Sequence, residues 1–88
     1  MEDPIVVARR RIDEIDRAMV RLLNERARYA LAIGRLKRAQ GMLVHDPERE
    51  EEVLDRVTAE SEGPLATSSI RGIFAEVIAA CRSLQEQL

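Results

Sequence analysis

Residues Pro4 to Gln40 read PIVVARRRIDEIDRAMVRLLNERARYALAIGRLKRAQ. Apolar residues recur along the run at helical spacing: Ile5, Ile12, Ile15, Met19, Leu22, Leu23, Ala30 and Ile33. Asp3 can cap such a helix, Pro4 suits an early helical position, and Gly41 stops it. About 36 residues at 1.5 Å each make a helix of roughly 54 Å. A compact chain of this size has a diameter of about 31 Å. One such globule cannot hold the helix, so its apolar stripe needs cover from a second chain. Two of these helices side by side imply a homodimer, although a plain coiled coil would also account for the stripe.

The rest of the chain supplies two more helices. Asp46-Pro47-Glu48 is an N-cap, a proline at the first helical position and an acid next to it. It opens a helix with Val53, Leu54 and Val57 on one side, which Gly63-Pro64 ends. The cluster Thr67-Ser68-Ser69 starts the third, whose broad apolar face runs through Ile70, Ile73, Phe74, Val77, Ile78, Cys81, Leu84 and Leu88. The expected architecture is all-α, a single domain over 1–88. Its helices span about 4–40, 47–61 and 67–87, with one very long N-terminal helix, in an intertwined helical homodimer.

Composition narrows the function. With 45% hydrophobic and 34% charged residues, the chain is a folded helical protein rather than a disordered one. A net charge of -2 gives no pull toward nucleic acid or an anionic membrane. No run is long and apolar enough to span a bilayer, and the acidic start Met1-Glu2-Asp3-Pro4 is unlike a signal peptide. The single cysteine, Cys81, excludes an internal disulfide, and a cytoplasmic setting is expected.

Several charges sit in unusual places. On a helical wheel with Ala30 at zero, Arg26 falls at about -40° and Lys37 at about -20°. Both share a sector with the apolar stripe, so they point with the core. Two such cations need anionic partners, since desolvation costs several kcal/mol each. They lie roughly 16 Å apart along the axis, close enough for two long side chains to hold one small anion. Alternatively they snorkel or pair with internal carboxylates. On the second helix Asp46, Arg49 and Glu50 extend the valine face; Asp46 is sufficiently explained as an N-cap and Glu50 as a first-turn acid, but a cation at Arg49 is disfavoured there. Gln85 is either a fraying terminal residue or a donor aimed into a pocket. Cys81 alone reads as a small core residue and His45 as a lone loop histidine. Neither a metal-ligand spacing nor a phosphate-binding glycine loop is present.

Taken in order, these positions resemble the small all-helical class of chorismate mutases over nearly the whole chain. The resemblance is carried by Arg9-Arg10-Arg11-Ile12-Asp13-Glu14-Ile15-Asp16, Leu22-Leu23-Asn24-Glu25-Arg26, Ile33-Gly34-Arg35-Leu36-Lys37, Asp46-Pro47-Glu48-Arg49-Glu50, and Ile73-Phe74 through Ser83-Leu84-Gln85. It implies rearrangement of chorismate to prephenate in phenylalanine and tyrosine biosynthesis, with no cofactor and no metal. By position, Arg26 and Arg9 resemble the arginines that hold the substrate carboxylates. Lys37 resembles the lysine that contacts a carboxylate and the ether oxygen, and Gln85 the second donor to that oxygen. Glu50 resembles the acceptor for the ring hydroxyl, while Asp46 and Arg49 resemble the residues completing that wall. Cys81 stands where some members carry a serine near a carboxylate, and a thiol is the weaker donor.

Arg9 and Arg26 are about 26 Å apart on one straight helix, too far to grip one ten-carbon molecule. In an antiparallel pair, Arg9 would be contributed across the interface. Two rivals remain: an isochorismate pyruvate lyase on the same scaffold, and a non-catalytic helical dimerisation or regulatory module.

Overall fold

A computed structural model describes every residue from Met1 to Leu88. The chain folds into three helices, α1 (Pro4–Ala39), α2 (Pro47–Glu60) and α3 (Thr67–Glu86), with no strand. The all-α class and the very long first helix are as expected from the sequence.

Local chemistry sets the helix ends. The Asp3 carboxylate accepts the Ile5 N–H at 2.8 Å, satisfying one of the orphan donors of α1. At the other end Gly41 adopts a left-handed φ of 69°. This lets its own N–H reach the Arg38 carbonyl (3.1 Å) and the Met42 N–H reach the Lys37 carbonyl (2.8 Å), the paired bonds of a Schellman stop. Asp46 caps α2 by accepting the Arg49 N–H at 3.1 Å, with Glu48 and Glu50 in the first turn favoured by the helix dipole. α3 starts at Thr67, where the Ser/Thr cluster places it. Ala66 is the N-cap, and no side chain caps the helix. The Ala66 carbonyl takes the N–H groups of Ser69 and Ile70, so the three hydroxyl residues fall inside the first turn.

α3 is the hub: it packs on α1 and on α2, while α1 and α2 do not pack on each other. Arg71 of α3 bridges to Asp55 (3.1 Å) and Glu51 of α2. The hydrogen bond to Asp55, then that to Glu51, raises its pKa above the ordinary guanidinium value. Such an exposed clamp fixes registry more than it adds stability.

The chain is long and thin. Its extents are 61 × 24 × 15 Å and its radius of gyration is 16.6 Å, against about 12 Å for a compact chain of this length. The buried residues are Gly34, Val53, Ile78 and Cys81, all near the junction of the three helices. From Met1 to Glu25 every residue except Ala18 is exposed. The stripe residues Ile5, Ile12, Ile15, Met19, Leu22 and Leu23 are 42% to 58% exposed. No helix is long and apolar enough to cross a membrane.

Candidate active site

The one place where all three helices meet is a cavity of about 270 Å³, at the small end of sites for small molecules. It is lined by Arg26 and Lys37 from α1, by Asp46, Arg49 and Glu50 from the start of α2, and by Cys81 and Gln85 from α3. These are seven of the eight residues singled out in the sequence. The eighth, Arg9, is exposed on the free part of α1 and does not line the cavity.

Each side chain is placed by an identifiable feature of the fold. The backbone turn after α1 brings the Val44 carbonyl to 3.4 Å from Lys37 Nζ, which donates to it. Asp46 then serves two helices at once. Its Oδ1 caps α2, and its Oδ2 lies 3.6 Å from Lys37 Nζ. One carboxylate thus ties the α2 N-terminus to the ammonium of α1. Of the two alternatives for Lys37, pairing with an internal carboxylate is the one found.

Arg26 instead meets Cys81: its Nη1 donates to Sγ at 3.2 Å. The thiol therefore acts as an acceptor that steadies the arginine, a role distinct from the weak donor read in the sequence. A sulfur acceptor is weak, which leaves most of the five guanidinium donors free to bind a planar anion.

Gln85 is part-buried rather than frayed. Its Nε2 donates to the Ala30 carbonyl at 2.8 Å, and an amide nitrogen carries a second hydrogen that remains available to the cavity. Gly34 makes this close approach possible. A Cβ there would stand 2.9 Å from Leu88 Cδ1 and 3.2 Å from Gln85 Cγ.

Arg82 was missed in the sequence. It also lines the cavity, and its Nη1 donates to Glu50 Oε1 at 2.6 Å. The signal was present, since Arg82 lies about 40° from Ile78 on the wheel of α3. His45, read as a lone loop residue, places Nε2 3.4 Å from Glu50 Oε2.

The cavity's charge is opposite to that of the chain. Arg26, Lys37, Arg49 and Arg82 face only Asp46 and Glu50, an excess of two positive charges in a chain of net charge -2. A concave wall of this kind concentrates a small dianion. Its donors are guanidinium forks, an ammonium and an amide, suited to holding carboxylates and an oxygen that gains charge.

Comparison with known proteins agrees with this chemistry. The chain is 40% identical over its full 88 residues to the bifunctional chorismate mutase/prephenate dehydratase of Neisseria gonorrhoeae, covering 24% of that protein. It is 35% identical over 57 residues to the chorismate mutase of Methanocaldococcus jannaschii, covering 65% of this chain and 58% of that one. The chain therefore spans about a quarter of the length of the bifunctional relatives it matches. Among solved structures, form II of the chorismate mutase from Thermus thermophilus superposes with a TM-score of 0.93 at 40% identity, over 96% of both chains. The family described as chorismate mutase type II matches residues 8–86, which takes in α2, α3, the whole cavity and Arg9, and the chain belongs to that family.

Proposed function

We propose that this chain catalyses the rearrangement of chorismate to prephenate as an antiparallel homodimer with two sites, each built from both subunits. The observation that carries the reading is the convergence of Arg26, Lys37 and Gln85 on one cavity with an excess of two positive charges. The reaction breaks a C–O bond and forms a C–C bond within one dianionic molecule. Neither a nucleophile nor a redox centre is called for. What remains is to hold the enolpyruvyl side chain over the ring and to stabilise charge on the ether oxygen as its bond breaks.

Arg26, with Arg9 of the partner subunit, binds the two carboxylates and fixes the reactive conformer. Lys37, held in advance by Asp46 and the Val44 carbonyl, and Gln85, held by Ala30, donate to the ether oxygen. Their hold strengthens as charge develops, so they favour the transition state over the ground state. Glu50 accepts the ring hydroxyl, and Asp46 and Arg49 close that wall.

The free half of α1 supports the dimer. Its exposed stripe has no cover within the chain, and a core of so few residues is small for a chain of this length. A two-fold axis between Arg17 and Ala18 brings Arg9 opposite Arg26 of the partner subunit. The same axis sets Ile12 against the partner subunit's Leu23, apolar against apolar. A cytoplasmic setting suits the single free thiol of Cys81.

Gln85→Glu tests the reading at the ether oxygen. A glutamate there donates only when protonated, so activity is expected mainly at acid pH, falling about tenfold per pH unit well above the carboxyl's pKa. Wild type keeps its activity at neutral pH. A variant whose pH–rate profile matches wild type places Gln85 away from the reacting oxygen.

Gly34→Ala is expected to lower kcat by about ten- to a hundredfold, by pushing Gln85 from its place. The helix itself gains about 1 kcal/mol of propensity, and the contact with Leu88 is to the far end of its flexible side chain, which can move aside. Thermal unfolding should therefore change little while kcat falls. Unchanged kcat would show that Gln85 tolerates displacement.

A further inference from the structure

Glu50 is held by Arg82 before any substrate arrives, with His45 nearby on its other oxygen. Arg82 Nη1 donates to Oε1 at 2.6 Å, and His45 Nε2 lies 3.4 Å from Oε2. Arg82 has a second acid in reach, Glu86, but its Nε is 4.0 Å from that carboxylate. Glu86 is largely exposed, whereas Glu50 and Arg82 are 26% and 33% exposed and both line the cavity. The guanidinium is thus committed to the acid inside the site. It also sits on the same turn of α3 as Gln85, so one helix segment carries both groups.

We propose that Arg82 is the positioning residue for Glu50, aiming its carboxylate at the ring hydroxyl of the substrate and offsetting its charge; this rests on the chorismate reading of the site. An unaccompanied carboxylate in a cavity that takes a dianion repels its ligand. Bound to Arg82, Glu50 presents lone pairs for the hydroxyl with much of that repulsion removed, because each carboxylate oxygen accepts more than one hydrogen bond. The ring hydroxyl is a spectator, unchanged between chorismate and prephenate. Its contact with Glu50 is equally good in the ground and transition states and acts on KM rather than kcat.

The test is a double-mutant cycle on chorismate turnover with Arg82→Met, Glu50→Gln and the pair. Methionine keeps the apolar stem and removes the charge. Arg82→Met is expected to raise KM about tenfold with kcat within about threefold of wild type. Arg82→Lys should recover most of the loss. In the Glu50→Gln background the same Arg82 change should move KM by less than about twofold, because the group it positions is gone. Equal effects in both backgrounds would overturn the proposal, since Arg82 would then touch substrate itself, and so would an unchanged KM. A crystal structure of Arg82→Met reads the same relation without substrate: Glu50 leaving the cavity wall supports it, and Glu50 unmoved overturns it. Absence of turnover by wild type would refute the chorismate reading, and the crystal structure would still decide what Arg82 does to Glu50.

Discussion

Lys37→Ala is expected to lower kcat by about two to three orders of magnitude, with helix content and assembly unchanged. On the proposed reading the Lys37 ammonium meets the ether oxygen, and a preorganised donor at such a position contributes roughly 3–4 kcal/mol. It is preorganised because Asp46 and the Val44 carbonyl hold Nζ within 3.6 Å and 3.4 Å. The fold should survive, since Lys37 is only part-buried and Asp46 keeps its capping bond to Arg49. Circular dichroism and sedimentation check that survival, and steady-state kinetics read the loss. A near-normal kcat would remove Lys37 from the chemistry. A loss confined to KM would reduce it to a carboxylate anchor.

The second large effect concerns Arg9 and Arg26. Arg9→Ala and Arg26→Ala are each expected to lower kcat/KM by about a hundredfold, the loss of a charge-assisted, bidentate carboxylate contact. Co-expressed in one cell, the two variant chains should recover activity that neither has alone. In a hybrid dimer one site receives the intact Arg9 of one chain and the intact Arg26 of the other, while the second site receives both defects. Random assortment makes half the dimers hybrid, so activity should return to about a quarter of wild type. A mixture no more active than its parents would mean that Arg9 serves its own chain or no site at all.

Much of this was legible in the sequence, for reasons that are local. Asp3, Gly41, Asp46-Pro47 and Gly63-Pro64 act on the backbone within a few residues of themselves, so the three helices and two breaks could be read directly. Arg26 and Lys37 stood out because a charge on an apolar stripe breaks a pattern of fixed period. The tertiary features were hidden. Asp46 was fully explained as a cap, and nothing local indicated that its other oxygen faces Lys37. Gly34 drew no reading of its own, because only the crossing of α3 brings Gln85 to its surface. Arg82 lies at the edge of the apolar face of α3, where an arginine reads as solvated; only the approach of Glu50 from α2 makes it part of the site. The hydroxyl cluster marked the start of α3, but no local signal showed that backbone bonds to Ala66 alone would hold that end.

The most direct measurement is the ultraviolet absorbance of chorismate in the presence of the purified chain, with product identification and Arg26→Ala as control. A mutase consumes chorismate rapidly, yields prephenate, and loses that activity in the variant. A folded dimer that leaves chorismate untouched would contradict the assignment, and fluorescent salicylate appearing from isochorismate would replace it with the lyase.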